Sequence, residues 1–121
     1  MRPNVNLVEL RPEVLREELE TSLIEKFQNE VLRPILKFQH EILLEEWSRN
    51  PLFEKIKELH QPEEKRRQLS RLFSKNPALL QRLIGMVLGL FTTEEYAYYL
   101  SEKVAIDKRL KELLLTRFLS Y

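Results

Sequence analysis

Two Asn-Pro pairs, Asn50-Pro51 and Asn76-Pro77, constrain the folding of this chain more than any other feature. In each pair the Asn side chain can cap exposed helix amides. The proline fits the first helical position, where its missing N–H costs nothing. Each pair therefore ends one helix and starts the next with almost no loop. Around these marks apolar residues recur at steps of three and four. Leu23, Phe27, Val31, Ile35, Phe38, Ile42, Leu43 and Trp47 form one stripe; Tyr96, Leu100, Val104, Leu110, Leu114 and Phe118 form another. Ser22 with Glu25, and Thr92 with Glu95, have the spacing of capping boxes. Pro62 supplies a further break, and Pro12 can open a short helical turn before Ser22. The spacing predicts five helices, over about 23–48, 52–60, 63–74, 78–90 and 93–119. No run alternates apolar and polar residues between turn signals, so no strand is expected.

The expected fold class is therefore all-α, a compact bundle of about five helices. A chain of 121 residues has room for one domain. Residues 22–121 read as that domain, and 1–21 as a partly irregular N-terminal segment. Helix 78–90 is apolar nearly all round, with Gln81 and Arg82 as its clear polar residues, which places it near the centre of the bundle. Gly85 and Gly89, four residues apart, make a notch that another backbone can approach. Pro34 falls inside the first long helix. It removes the bond to the Glu30 carbonyl, so a kink is expected there.

Composition excludes many chemistries. With no cysteine there is no disulfide, thiolate zinc site or Cys nucleophile. Two glycines leave no Gly-rich phosphate loop. Neither histidine has the Glu-x-x-His spacing of a bundle metal site, because Lys37 precedes His40 and Lys57 precedes His60 by three residues. The serines lack a nucleophile-elbow setting. No metal and no cofactor is expected. The first twenty residues hold no apolar run of signal-peptide length, and the most apolar stretch, 83–91, is far shorter than a membrane span. The expected location is the cytoplasm, with no membrane partner.

Two clusters are candidate sites. Around the Pro34 kink lie Gln28, Asn29, Arg33, Lys37, Gln39 and His40. A freed Glu30 carbonyl needs a donor, and the Arg33 guanidinium is a forked donor suited to a small polar or anionic ligand. The second cluster is basic: Lys65, Arg66, Arg67, Arg71 and Lys75. Residues 1–61 carry a net charge of −3 and residues 62–121 a net +4, a mild pointer to nucleic acid. The helix after Asn76-Pro77 is too apolar to read a groove, which leaves helix 63–74 to touch phosphates. Phe91, Tyr96, Tyr98 and Tyr99 surround the second capping box and read as packing residues with satisfied hydroxyls.

Two stretches, FQNEVLRPILKFQ from Phe27 to Gln39 and GMVLGLFTTEEYAYY from Gly85 to Tyr99, resemble a family of short, all-helical bacterial proteins without an assigned activity. The resemblance covers most of the chain after residue 22. It implies a helical fold and transfers no active site. Some members of such families are labelled glyoxalases. That activity implies His and Glu metal ligands on strands, and this sequence shows neither strands nor such a ligand set.

The expected function is that of a non-enzymatic protein-interaction or regulatory module. Binding of a small anionic ligand at the kink ranks second, as a binder or an enzyme. Nucleic-acid binding through 65–75 ranks third. A homodimer is also expected. Helices 23–48 and 93–119 are long enough to overhang a globule of this size, and apolar residues crowd their ends: Leu43, Leu44 and Trp47 on one, and Leu113, Leu114, Leu115, Phe118 and Leu119 on the other. The competing reading covers these ends with Leu7, Val8, Leu10, Val14, Leu15 and Leu19 of the N-terminal segment.

Overall fold

Both Asn-Pro pairs do what their chemistry dictates. The Asn50 side-chain oxygen accepts the Leu52 N–H at 3.0 Å, and that of Asn76 accepts the Leu79 N–H at 3.4 Å. The computed structural model describes the backbone over residues 12–121 and the side chains over 18–121. All regular structure among these residues is helical, in seven helices rather than five. The first, α1, spans 12–38 in three parts: α-helical Pro12–Phe27, a π turn Gln28–Leu32, and α-helical Arg33–Phe38. Then come α2 (His40–Arg49), the short α3 (a 3₁₀ turn Pro51–Phe53 running into Glu54–Lys57), α4 (Pro62–Lys75), α5 (Pro77–Leu88), α6 (Thr93–Ser101) and α7 (Lys103–Leu119).

The differences from the expected five helices have local causes. The first helix is already present at Pro12, so Ser22 and Glu25 lie inside it and cap nothing. It ends at Gln39, where ψ is 11°, and the Gln39 side chain donates to the Met86 carbonyl on α5 at 3.0 Å. The expected helix 93–119 breaks at Glu102, with φ −126° and ψ 31°. Across that break the Tyr99 hydroxyl donates to Asp107 Oδ1 at 2.6 Å, and the Asp107 Oδ2 accepts from Lys103 at 2.7 Å. Thr92 and Glu95 form the expected capping box in full.

At Pro34 the helix widens rather than simply losing a bond. The Arg33 N–H donates to the Gln28 carbonyl, a link across five residues that closes a π turn one residue ahead of the proline. This turn resets the buried stripe. Ile24, Phe27, Leu32, Leu36, Leu43 and Trp47 are buried, whereas Leu23, Phe38 and Ile42 of the expected stripe are exposed, Phe38 to 77%. The Glu102 break resets the second stripe in the same way. Tyr99, Ile106, Leu110, Leu114 and Phe118 are buried, and Val104 is 86% exposed.

The hub of the bundle is α7, not α5. It packs against α1, α2, α4, α5 and α6, and buries Ile106, Leu110, Leu114, Leu115 and Phe118. At its C-terminal end the Phe118 ring stacks on Trp47 with centroids 5.5 Å apart and meets Phe53 at 5.2 Å and Phe73 at 6.4 Å. Helix α5 buries Leu79, Leu83, Ile84 and Val87, but its other face, Ala78, Gln81, Arg82 and Gly85, is exposed. Glycine and alanine made it look apolar all round while offering little to bury. Nothing lies within 4 Å of a Cβ built on Gly85, so no backbone occupies the notch. The apolar ends expected to project are enclosed within this single chain. Leu43, Trp47, Leu114, Leu115 and Phe118 are buried, Leu113 and Leu119 half-buried, and Leu44 alone is exposed. A second copy is not needed to cover them. The N-terminal segment expected as the alternative cover lies largely outside the described residues, and Leu19 within it is exposed.

Candidate functional site

Helix α7 lies between α1 and α4, and a cleft opens on each side of it. The α1 side is built by the π turn. In an α-helix five residues turn through about 500°, which leaves residues 28 and 33 about 140° apart. The five-residue link of the π turn swings them onto one side. Gln28 and Arg33 therefore both line a cleft of about 580 Å³ together with Thr21, Lys108, Arg109, Glu112 and Thr116. Arg109 donates to Gln28 Oε1 at 3.0 Å and is thereby fixed against α1. Arg33 donates from Nε to Asn29 Oδ1 at 3.0 Å, and among the described residues its two terminal nitrogens have no hydrogen-bond partner. A smaller recess continues from this cleft past Arg33 and Thr116 to Arg117 and Ser120.

The second cleft, of about 600 Å³, lies between α4 and α7. It is lined by Glu63, Arg66, Arg67, Ser70, Arg71, Ser74, Glu112 and Leu115. Glu112 belongs to both clefts, and Arg66 reaches across from α4 to pair with it. Arg67 pairs with Glu64 on its own helix. The Gln68 side-chain amide, donating at 2.9 Å, and then the Arg67 guanidinium hold the Glu64 carboxyl below its ordinary value. Among the described residues, Arg33, Lys108, Arg109, Arg117 and Arg71 have no carboxylate within 4.0 Å. Helices α4 and α7 together carry a net +6 in a chain whose formal net charge is +1.

The expected kink site is thus partly assembled. Gln28, Asn29 and Arg33 come together at the first cleft. Lys37 lines neither cleft, Gln39 is spent on the Met86 carbonyl, and His40 packs edge-on against Tyr121, its Nδ1 3.3 Å from the phenol oxygen. The side chains expected to serve the Glu30 carbonyl bond to one another and to α7 instead. Of the basic segment, Arg66, Arg67 and Arg71 line the second cleft, whereas Lys65 and Lys75 do not. Helix α4 was expected to meet phosphates by itself. The structure adds Lys108, Arg109 and Arg117 from α7, which sequence reasoning missed. The signal for Lys108 and Arg109 was the three- and four-residue spacing of Lys108, Arg109, Glu112 and Thr116, a polar stripe beside the buried one.

Among the described residues no three His, Asp or Glu side chains gather as metal ligands, and no helix is long and apolar enough to cross a membrane. No protein-family model, no curated protein and no solved structure matches the chain.

Proposed function

We propose that this chain acts by binding, as a regulatory or interaction module, and that its ligand presents an anionic group to the cleft between α1 and α7. One observation carries this reading. Arg33, Lys108 and Arg109 converge on a cleft whose single carboxylate, Glu112, is already paired with Arg66. A cluster of cations left without counter-charge repels itself, and an oxyanion relieves that repulsion while accepting charge-assisted hydrogen bonds. The Arg33 fork suits the two oxygens of a phosphate, sulfate or carboxylate, and the Thr21 and Thr116 hydroxyls border the same space. Arg109, braced by Gln28, holds its place at little entropic cost on binding.

Titration calorimetry with inorganic pyrophosphate tests this. The parent chain binds, and binding weakens as salt is raised. Arg33→Ala loses affinity at least tenfold, Arg33→Lys loses less, and Arg49→Ala on α2 is unchanged. Equal affinity in Arg33→Ala and the parent overturns the assignment.

A further inference from the structure

We propose that the two clefts beside α7 together hold the backbone of one double-stranded nucleic acid, with α7 as the ridge between two rows of phosphates. This rests on the anion reading of the first cleft and extends it to a second. The clefts share Glu112, so they are the two flanks of one helix rather than separate sites. Neighbouring helices pack about 8–10 Å apart. The clefts between α1, α7 and α4 are therefore separated by about that distance, within the roughly 6–12 Å range of duplex groove widths. Along the α1 side of α7 the cations run from Arg109 to Arg117, a rise of about 12 Å. A strand of duplex presents one charge per roughly 3.4 Å of axis, so that span meets about four phosphates. On the far flank Arg66, Arg67 and Arg71 cover the opposite row, with Ser70 and Glu63 in the same lining.

The lining also discriminates between forms of nucleic acid. Neither cleft contains an aromatic side chain. Single-strand binders stack unpaired bases on aromatic rings; these clefts are lined by cations, hydroxyls, the Gln28 amide, short apolar walls and the carboxylates of Glu63 and Glu112. Arg, Lys, Ser and Thr side chains serve phosphate oxygens, contacts that position a duplex without carrying sequence information. Recognition is by charge and shape, without sequence preference. Glu112 is the one carboxylate on the ridge. Arg66 neutralises it in the free protein, and it opposes the approach of a phosphate on either side.

The test uses the full chain, fluorescence anisotropy with a labelled 20-base-pair duplex and with one of its strands, and pyrophosphate calorimetry in parallel. The duplex binds in low salt, and log K falls with log salt at a slope of about −4 to −6, matching five or six phosphates. The single strand binds at least tenfold more weakly. The double variant Arg67→Ala/Arg71→Ala weakens duplex binding tenfold or more, lowers the slope by about 2, and leaves pyrophosphate binding unchanged. Glu112→Gln tightens duplex binding several-fold. Circular dichroism verifies that these variants at exposed and half-exposed positions are folded. The proposal is overturned if the single strand binds as tightly as the duplex, or if the double variant binds duplex like the parent. Pyrophosphate binding that depends on Arg33, with no duplex binding, overturns this proposal and leaves the anion site standing. Binding of neither overturns both.

Discussion

Phe118 tests the central claim about the fold, that the end of α7 is a packed core and not an exposed patch awaiting a partner. The side chain is 1% exposed and meets rings from three other helices: Trp47 of α2, Phe53 of α3 and Phe73 of α4. Phe118→Ala removes the buried ring and leaves a cavity, at a cost of about 3–5 kcal/mol. The unfolding entropy of a 121-residue domain is about 0.25 kcal/mol/K, so the melting temperature falls by about 12–20 °C. Such a loss is a large fraction of the stability of a small domain, about 5–15 kcal/mol. Urea unfolding followed by circular dichroism measures it. The fluorescence of Trp47, the single tryptophan, reports the same site, because its indole stacks on the Phe118 ring. The emission of the variant shifts to the red. The destabilisation is the same at every protein concentration. A loss below about 1 kcal/mol, or a midpoint that rises with protein concentration, refutes the assignment of Phe118 to the core of one chain.

Three further outcomes follow from the geometry. Gly85→Ala raises the melting temperature by about 2–4 °C, since an exposed mid-helix glycine costs about 0.5–1 kcal/mol and a Cβ there meets nothing within 4 Å; a fall in scanning calorimetry would mean that something approaches the notch. Thr92→Ala removes one half of a complete capping box and destabilises by about 0.5–2 kcal/mol in urea titration, whereas Ser22→Ala, inside α1, changes stability by less than about 0.5 kcal/mol. Burial, then the hydrogen bond to Asp107, raises the Tyr99 phenol above its ordinary value near 10. The folded state therefore holds this proton more tightly than the unfolded one. The resulting stability is complete below about pH 10 and is lost as pH rises toward the folded pKa. Tyr99→Phe makes the decline of melting temperature above about pH 10 shallower; an unchanged decline means that the Tyr99 phenol contributes no pH dependence.

What could be read from the sequence was local. Asn50, Asn76, Thr92 and the prolines act on neighbouring amides, so their roles follow from neighbouring residues, and α4 and α5 lie within two residues of their expected bounds. The breaks at Gln39 and Glu102 carry no such mark. Neither has a glycine or proline, and each keeps its backbone N–H bonded, Gln39 to the Ile35 carbonyl and Glu102 to those of Tyr98 and Tyr99. Only the tertiary ties to Met86 and Asp107 set them apart. Ser22 and Glu25 mimic a cap because acids are frequent in α1, and the spacing arises there without a helix end. The site was half legible for a related reason. Arg33 stood out beside a proline, but its partner across the cleft, Arg109, meets Gln28 from 81 residues away.

The π turn links the core of α1 to its site. Phe27 and Leu32 are both buried, and Gln28 and Arg33 both line the cleft, so each pair is separated by the same step of five. A straight α-helix places residues five apart about 140° from one another. It could bury Phe27 against Tyr98 and Phe91, with centroids at 5.0 and 5.6 Å, only by turning Leu32 outward. It could turn Arg33 toward α7 only by turning Gln28 away. The extra residue of the π turn resolves both conflicts at once, and Pro34, which has no N–H to give to the preceding turn, favours the wider turn just ahead of it. On the other side of the cleft the same economy holds. Helix α7 buries Ile106, Leu110 and Leu114 on one face and presents Lys108, Glu112 and Thr116 on the other. Lys108 and Arg109 thus project from a helix that packs against five others among the described residues. Of the two, Arg109 is held by Gln28 before any ligand arrives, as a site that binds by charge and shape requires.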